Sequence, residues 1–102
     1  MAELTVIRWR EIPAQVTAAR GRERARVELS ARFQEAIDTA ATRAGLIGTD
    51  DYLNEWARDT RPCGEDLEVE AAAEAEWLEA AFGDDRLADL ARKGGMAEGE
   101  AS

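Results

Sequence analysis

Apolar and polar positions change period part-way along the chain, dividing it into an extended first third and a helical remainder. Leu4-Thr5-Val6-Ile7-Arg8-Trp9-Arg10 is rich in β-branched and aromatic residues. Alternation places Thr5, Ile7 and Trp9 on one face and Leu4, Val6 and Arg8 on the other. Apolar residues on both faces predict a strand well covered by helices. Glu11-Ile12-Pro13 interrupts it. A proline cannot donate to a ladder, so Pro13 marks a turn, a strand's first residue or an edge. Ala14 to Ala19, with Val16 and Thr17, reads as the returning strand of a hairpin, and Gly21 breaks the pattern. Arg22 to Arg26 is polar. Arg26-Val27-Glu28-Leu29 is either a short third strand or an extended lead-in to the first helix.

Helical spacing then takes over. Ser30 is an N-cap candidate, followed by Phe33, Ile37, Ala40, Ala41 and Ala44, with Gly45 as a left-handed stop. Thr49 caps a second, short helix that opens on Asp50 and Asp51 and carries Tyr52, Leu53 and Trp56. Thr60-Arg61-Pro62-Cys63-Gly64 reads as a loop with strong breakers. A third helix runs from about Asp66 to Phe82, with Leu67, Ala71, Ala75, Leu78 and Phe82 along one stripe. Gly83 ends it, and Asp84 caps a last helix with Leu87, Leu90 and Ala91. The fold class that follows is α+β, a small antiparallel sheet from the N-terminal third covered by three to four helices. One domain is expected over residues 1–93, with a disordered tail over 94–102.

Composition narrows the chemistry. The 102 residues contain one cysteine, Cys63, and no histidine. A disulfide within the chain is excluded, and a Cys/His zinc site lacks its ligands. General acid–base work would fall to a shifted carboxylate, Cys63 or Tyr52. No glycine fingerprint for a dinucleotide or a phosphate loop is present, so neither a cofactor nor a metal is expected. No apolar run approaches the roughly 18–20 residues that span a bilayer, and Met1-Ala2-Glu3 is acidic where a signal peptide is basic. A cytoplasmic protein is the expectation.

Net charge is −9, unevenly distributed. Residues 1–30 carry +2, residues 31–62 carry −2, and residues 63–102 carry −9. The acidic half repels phosphate backbones and membrane surfaces alike. Twelve of the thirteen bases are arginine, the side chain suited to planar, bidentate contact with carboxylates. Arg20-Gly21-Arg22-Glu23-Arg24-Ala25-Arg26 resembles a nucleic-acid contact segment in arginine density. It lacks lysine and interleaved aromatics, so a solvated loop or a patch for an acidic protein surface fits it better. The glutamates of the third helix read as a solvated face.

Two features could carry chemistry. Cys63 lies beside Arg61 and ahead of a helix, which lowers a thiol pKa, whereas Glu65 and Asp66 raise it. A reactive thiol and a bystander cysteine are the two readings, and the missing partner base favours the second. Trp9, between Arg8 and Arg10 and ahead of the proline turn, either closes the core or forms a cation–π ledge for a partner. Many core candidates are alanine, and a thin core with three tryptophans fits aromatic area reserved for a partner. Arg8, Trp9, Arg10, Pro13 and Gln15 are therefore the expected partner-binding residues, with Cys63 the possible reactive thiol.

The chain resembles a small bacterial family labelled "virulence factor", named after the homologous central region of the staphylococcal conserved virulence factor C. The resemblance is carried by Val6-Ile7-Arg8-Trp9-Arg10-Glu11-Ile12-Pro13-Ala14-Gln15-Val16, by Phe33-Gln34-Glu35-Ala36-Ile37-Asp38 with Ala44-Gly45-Leu46, and by Asp51-Tyr52-Leu53-Asn54-Glu55-Trp56. Glu11 stands where the family pattern has aspartate, which keeps the charge but not the reach. The family brings no assigned reaction and no catalytic residues. Its stand-alone alphaproteobacterial members are encoded near methylenetetrahydrofolate reductase and corrinoid methyl-transfer proteins. The resemblance thus implies folate- and corrinoid-linked one-carbon metabolism as a setting, and those enzymes as partners. A non-catalytic accessory module docking on a larger enzyme is the function expected. A small redox or ligand-binding protein centred on Cys63 and an arginine-rich nucleic-acid binder are the alternatives, and self-association is compatible with all three.

Overall fold

The computed structural model describes residues 1–96. Four strands, β1 (Glu3–Trp9), β2 (Ile12–Arg20), β3 (Glu23–Glu28) and β4 (Trp56–Pro62), form one antiparallel sheet in the order β3-β2-β1-β4. Four helices accompany it: α1 (Ala31–Arg43), α2 (Asp50–Asn54), α3 (Leu67–Ala81) and α4 (Asp84–Arg92). The α+β class is the one the periodicity predicts.

β1 and β2 join through the two-residue loop Arg10-Glu11, with Trp9 opposite Ile12. Arg20 opposite Glu23 closes the second hairpin, and Gly21 supplies its positive φ of 59°. The β1–β2 register shifts between Ile7, opposite Gln15, and Arg8, opposite Pro13. Ala14 is thus the extra residue of a bulge, beside the one residue of the hairpin that has no N–H to give. The bulge reverses the alternation of β2, so Ile12 and Val16 both become buried although they serve opposite faces of the sheet.

α3 lies along one face, over β2 and β3. Its buried stripe of Leu67, Ala71, Ala75 and Leu78 meets Leu4, Val16 and Ala18, the small alanines letting the helix approach closely. α1 packs against α4 and β2, and this pair gathers at the loop end of the first hairpin. There Trp9 and Ile12, both fully buried, join Phe33, Ile37 and Ala40 in the core. Phe33 also meets Phe82 at a ring distance of 6.0 Å.

The helix ends follow ordinary capping physics, with two departures. Gly45 at φ 74° closes α1 as a Schellman turn, with Leu46 N–H donating to Ala41 O and Gly45 N–H to Thr42 O. Thr49 and Asp66 accept from the backbone at the starts of α2 and α3. Ser30 does not cap α1 with its side chain. Its N–H (2.7 Å) and hydroxyl (2.9 Å) donate instead to the Glu79 carboxylate, and Arg32 donates to Glu79 and to the Phe82 carbonyl. The serine thus ties the start of α1 to the end of α3. Gly83, not Asp84, is the N-cap of α4, and Asp84 is its first residue.

The largest departure is β4. Trp56 does not continue the short helix, and Thr60-Arg61-Pro62 is not a loop, because residues 56–62 pair with the whole of β1 from Trp9 to Glu3. The strand hides in the sequence because five of its seven residues are exposed and three are charged, as suits a sheet edge. The arginine-rich stretch 20–26 is likewise a hairpin, with β3 running from Glu23 to Glu28. Gly94 and Gly95, expected in the tail, are buried, and a second Schellman turn at the end of α4 brings Gly95 against Trp9. The rest of the expected tail, 97–102, lies outside the described residues.

Trp9 is 0% exposed, and its indole N–H donates to the Tyr52 carbonyl at 2.9 Å. Trp9→Ala is therefore expected to cost about 3–5 kcal/mol in chemical denaturation and Trp9→Phe, which loses the hydrogen bond and part of the ring, a smaller amount. A Trp9→Ala protein of unchanged denaturation midpoint would contradict this placement.

Candidate functional site

The sheet separates the side chains expected to act together. Leu4, Val6 and Arg8 point to the α3 side, and the bulge sends Pro13 there as well. These residues line a groove of about 260 Å³ with Asp59, Arg61, Glu74 and Leu78. Arg8 Nε donates to Asp59 Oδ2 at 2.7 Å, and Arg61 bonds Glu74 at 2.8 Å. That hydrogen bond, with the charge behind it, raises the Arg8 pKa and lowers that of Asp59. Both arginines are held by carboxylates rather than presented to a partner. Pro13 is itself buried.

Gln15 takes the opposite side, facing a cleft of about 590 Å³ between the sheet and the start of α1, lined also by Ile7, Glu28, Gln34 and Trp56. Trp9 is interior. The expected strand-end surface of Arg8, Trp9, Arg10, Pro13 and Gln15 is thus split across the sheet, because one bulged residue places Pro13 and Gln15 on different faces. The most exposed tryptophan is Trp77, 63% exposed on α3.

Arg10 holds a structural position. It adopts φ 53°, the only positive φ among the described residues other than glycine. Its N–H donates to Glu55 O (3.1 Å), its Nη1 to Gly94 O (3.0 Å), and its guanidinium lies 5.1 Å from the Trp9 ring centre. Nε is buried 3.2 Å from a Glu55 carboxylate oxygen but is not aligned for a hydrogen bond. The left-handed backbone is held by these neighbours.

Cys63 is half-buried at the end of β4, where its N–H donates to Ala2 O at 3.1 Å. Burial first, then Glu70, Glu65 and Glu3, push the thiol above its ordinary value, and Arg61 offsets only part of this. Near neutrality it is a protonated side chain packed against the core. Among the described residues no group of three or more Cys, Asp or Glu side chains is placed to hold a metal ion. No helix among them is long and apolar enough to cross a membrane.

The surface that the sequence reading missed is the broad face opposite α3. In register across the strands, Arg26, Thr17, Thr5 and Thr60 form one row, and Glu28, Gln15, Ile7 and Arg58 the next. The Thr5 and Thr60 hydroxyls hydrogen-bond at 3.0 Å. The second row borders the cleft beneath the start of α1, and beyond it no described helix packs on this face. The available signal was the strict polar–apolar alternation of Arg24-Ala25-Arg26-Val27-Glu28, a half-buried strand's pattern.

The family model described as "Virulence factor" matches residues 7–91, from β1 into α4. The chain belongs to that family. The family match covers the end of β1, the bulged β2, β3, β4, and all but the last residue of α4, and leaves out the first four residues of β1. No curated protein and no solved structure matches the chain.

Two outcomes test these placements. With φ at 53°, Arg10→Gly is expected to be more stable than Arg10→Ala by about 1 kcal/mol, because both lose the guanidinium contacts but only alanine keeps the strain. Equal stabilities in urea would show that Arg10 is not strained. Because the Cys63 pKa is raised, its thiolate fraction at pH 7–8 is below that of a free cysteine. Iodoacetamide should alkylate it more slowly than N-acetylcysteine, with the rate still climbing above the pH at which the free thiol levels off; faster alkylation at neutral pH would restore the reactive-thiol reading.

Proposed function

We propose that the protein is a small, non-catalytic accessory module of the cytoplasm that docks on a larger enzyme. The supporting observation is the sheet face without a helix: Thr5, Ile7, Gln15 and Thr17, central in the sheet, are half-buried although most of that face has no covering element. An antiparallel sheet can leave its second face to water, and here that face is the broad surface on which a partner has room to dock. The candidate chemistry points the same way. Arg8 and Arg61 are each paired to a carboxylate within the groove, and the Cys63 thiol is raised above its ordinary value.

The setting we propose is folate- and corrinoid-linked one-carbon metabolism, with methylenetetrahydrofolate reductase or a corrinoid methyl-transfer protein as partner. It rests on the family resemblance. The test is capture from native extract with the tagged full chain, read by mass spectrometry, then gel filtration of the purified pair. Stoichiometric co-elution with a folate or corrinoid enzyme is the expected result. An empty bait at low salt, or a captured enzyme that does not co-elute once purified, would overturn the reading.

A further inference from the structure

Most arginines of this chain are neutralised by their own fold. Arg8, Arg10, Arg20, Arg32, Arg61 and Arg92 each hold a carboxylate, and Arg86 lies over the Phe82 ring and bonds a backbone carbonyl. Among the described residues Arg22, Arg24, Arg26, Arg43 and Arg58 do not. Three of these five fall on the sheet face away from α3. Ala25 and Val27 pack toward the core, so Arg24 and Arg26 point the other way. Asp59 and Arg61 face the α3 groove, so Arg58, next to Asp59 on the strand, points the other way. Arg22 adjoins them in the hairpin loop.

Glu3 and Glu28 share that face, yet it remains locally cationic on a chain of net charge −9. From this segregation we infer that the helix-free sheet face binds a carboxylate-rich segment of a partner protein, through Arg24, Arg26 and Arg58 around the Thr17–Thr5–Thr60 row. The inference rests on the accessory-module reading and names the surface and the partner's chemistry.

The geometry fits that occupant. Arg24 and Arg26, two residues apart on one strand, stand about 7 Å from each other. Acidic residues spaced i,i+2 in an extended segment or i,i+4 on a helix repeat at about that distance. Guanidinium forks grip carboxylates bidentately, and the threonine hydroxyls and the Gln15 amide between the edges accept or donate as the partner's polar groups require. A nucleic acid fits less well. Open sheets bind single strands by stacking bases on aromatic side chains. Here Trp9 is buried, Trp77 is on α3, Trp56 is a single half-buried ring at the Trp9 end, and the three central rows carry no aromatic residue on which successive bases could stack. The acidic excess on the rest of the molecule would turn this face toward an acidic partner during approach.

The test is a titration of the isotope-labelled full chain with a synthetic decapeptide of alternating Glu and Ala at low salt, followed by amide chemical shifts. Expected are perturbations concentrated on Thr5, Gln15, Thr17, Arg26 and Thr60 that fade as salt rises. In the doubly reversed Arg24→Glu/Arg26→Glu protein, shown to be folded by circular dichroism, affinity should fall about tenfold or more. Arg43→Glu, which reverses an unpaired arginine on α1, should leave it nearly unchanged. Shifts that are absent or map elsewhere, equal losses from Arg43→Glu, or tighter binding of oligo-dT than of the peptide would each overturn the inference. A partner enzyme captured equally well by the wild-type and doubly reversed chains would discard this face and leave the accessory reading standing. A wild-type chain that captures none would discard the accessory reading, and the peptide titration alone would then decide the face.

Discussion

The fold depends on how the tip of the first hairpin is anchored. Four backbone and side-chain ties converge on Trp9-Arg10-Glu11: the indole to Tyr52 O, Arg10 N–H to Glu55 O, Arg10 Nη1 to Gly94 O, and Glu11 N–H to Gly95 O at 3.0 Å. They join the sheet to the connection before β4 and to the turn after α4. A Cβ on Gly95 would stand 3.1 Å from the Trp9 ring and 3.2 Å from Arg10 Cβ, so only a residue without a side chain lets the chain pass here. The left-handed Arg10 is sustained by the same convergence. Eight of the twenty buried core residues among those described are alanine, which contributes little apolar area, so one fully buried indole at the junction carries a large share of what holds the halves together.

The bulge at Ala14 decides what that anchoring exposes. With regular alternation, Pro13 and Gln15 would share a face and the strand end would present one continuous surface. The inserted residue instead gives Pro13 to the α3 side, Gln15 to the open side and Ile12 to the core beneath α1 and α4. The same device lets β2 serve two apolar environments at once, one under α3 and one at the hairpin tip.

This explains which parts of the molecule were legible in the sequence. α1, α3, α4 and the start of α2, with Gly45, Thr49 and Asp66 at helix ends, follow from 3.6-residue spacing and local capping, which depend only on neighbours in the chain. β4 does not. Its identity comes from pairing with β1 more than forty residues earlier, and Trp56 falls at helical spacing from Tyr52 and Leu53. The role of Gly94-Gly95 is equally non-local: two small residues after an amphipathic helix read as a frayed end until Trp9 is seen beneath them. The division of the expected site between two faces was hidden for a related reason, since a bulge leaves almost no mark in one sequence beyond the proline beside it. Only the polar–apolar alternation of β3 gave notice of the open face.

The distribution of charge is best understood as a consequence of this topology. α3 brings Glu70, Glu74 and Glu79 to the flanks of the covered face, where Arg61, Arg32 and Ser30 meet two of them. Burial opposes ionisation of Glu79, but the Ser30 and Arg32 hydrogen bonds outweigh it and hold the carboxyl below its ordinary value. Carboxylates are therefore spent on fixing helices to the sheet, and the arginines within their reach are consumed with them. Arginines on the opposite face of β3 and β4 are screened from these acids by the sheet itself, because alternation places neighbouring residues on opposite sides. A strand sequence such as Glu23-Arg24-Ala25-Arg26-Val27-Glu28 then does two jobs at once: its apolar residues meet α3, and its arginines stay unpaired on a face where the described fold supplies no covering helix. Exposed single charges of this kind add little stability to a monomer. Their concentration on the one broad surface without a helix is what a surface shaped for an acidic partner would have.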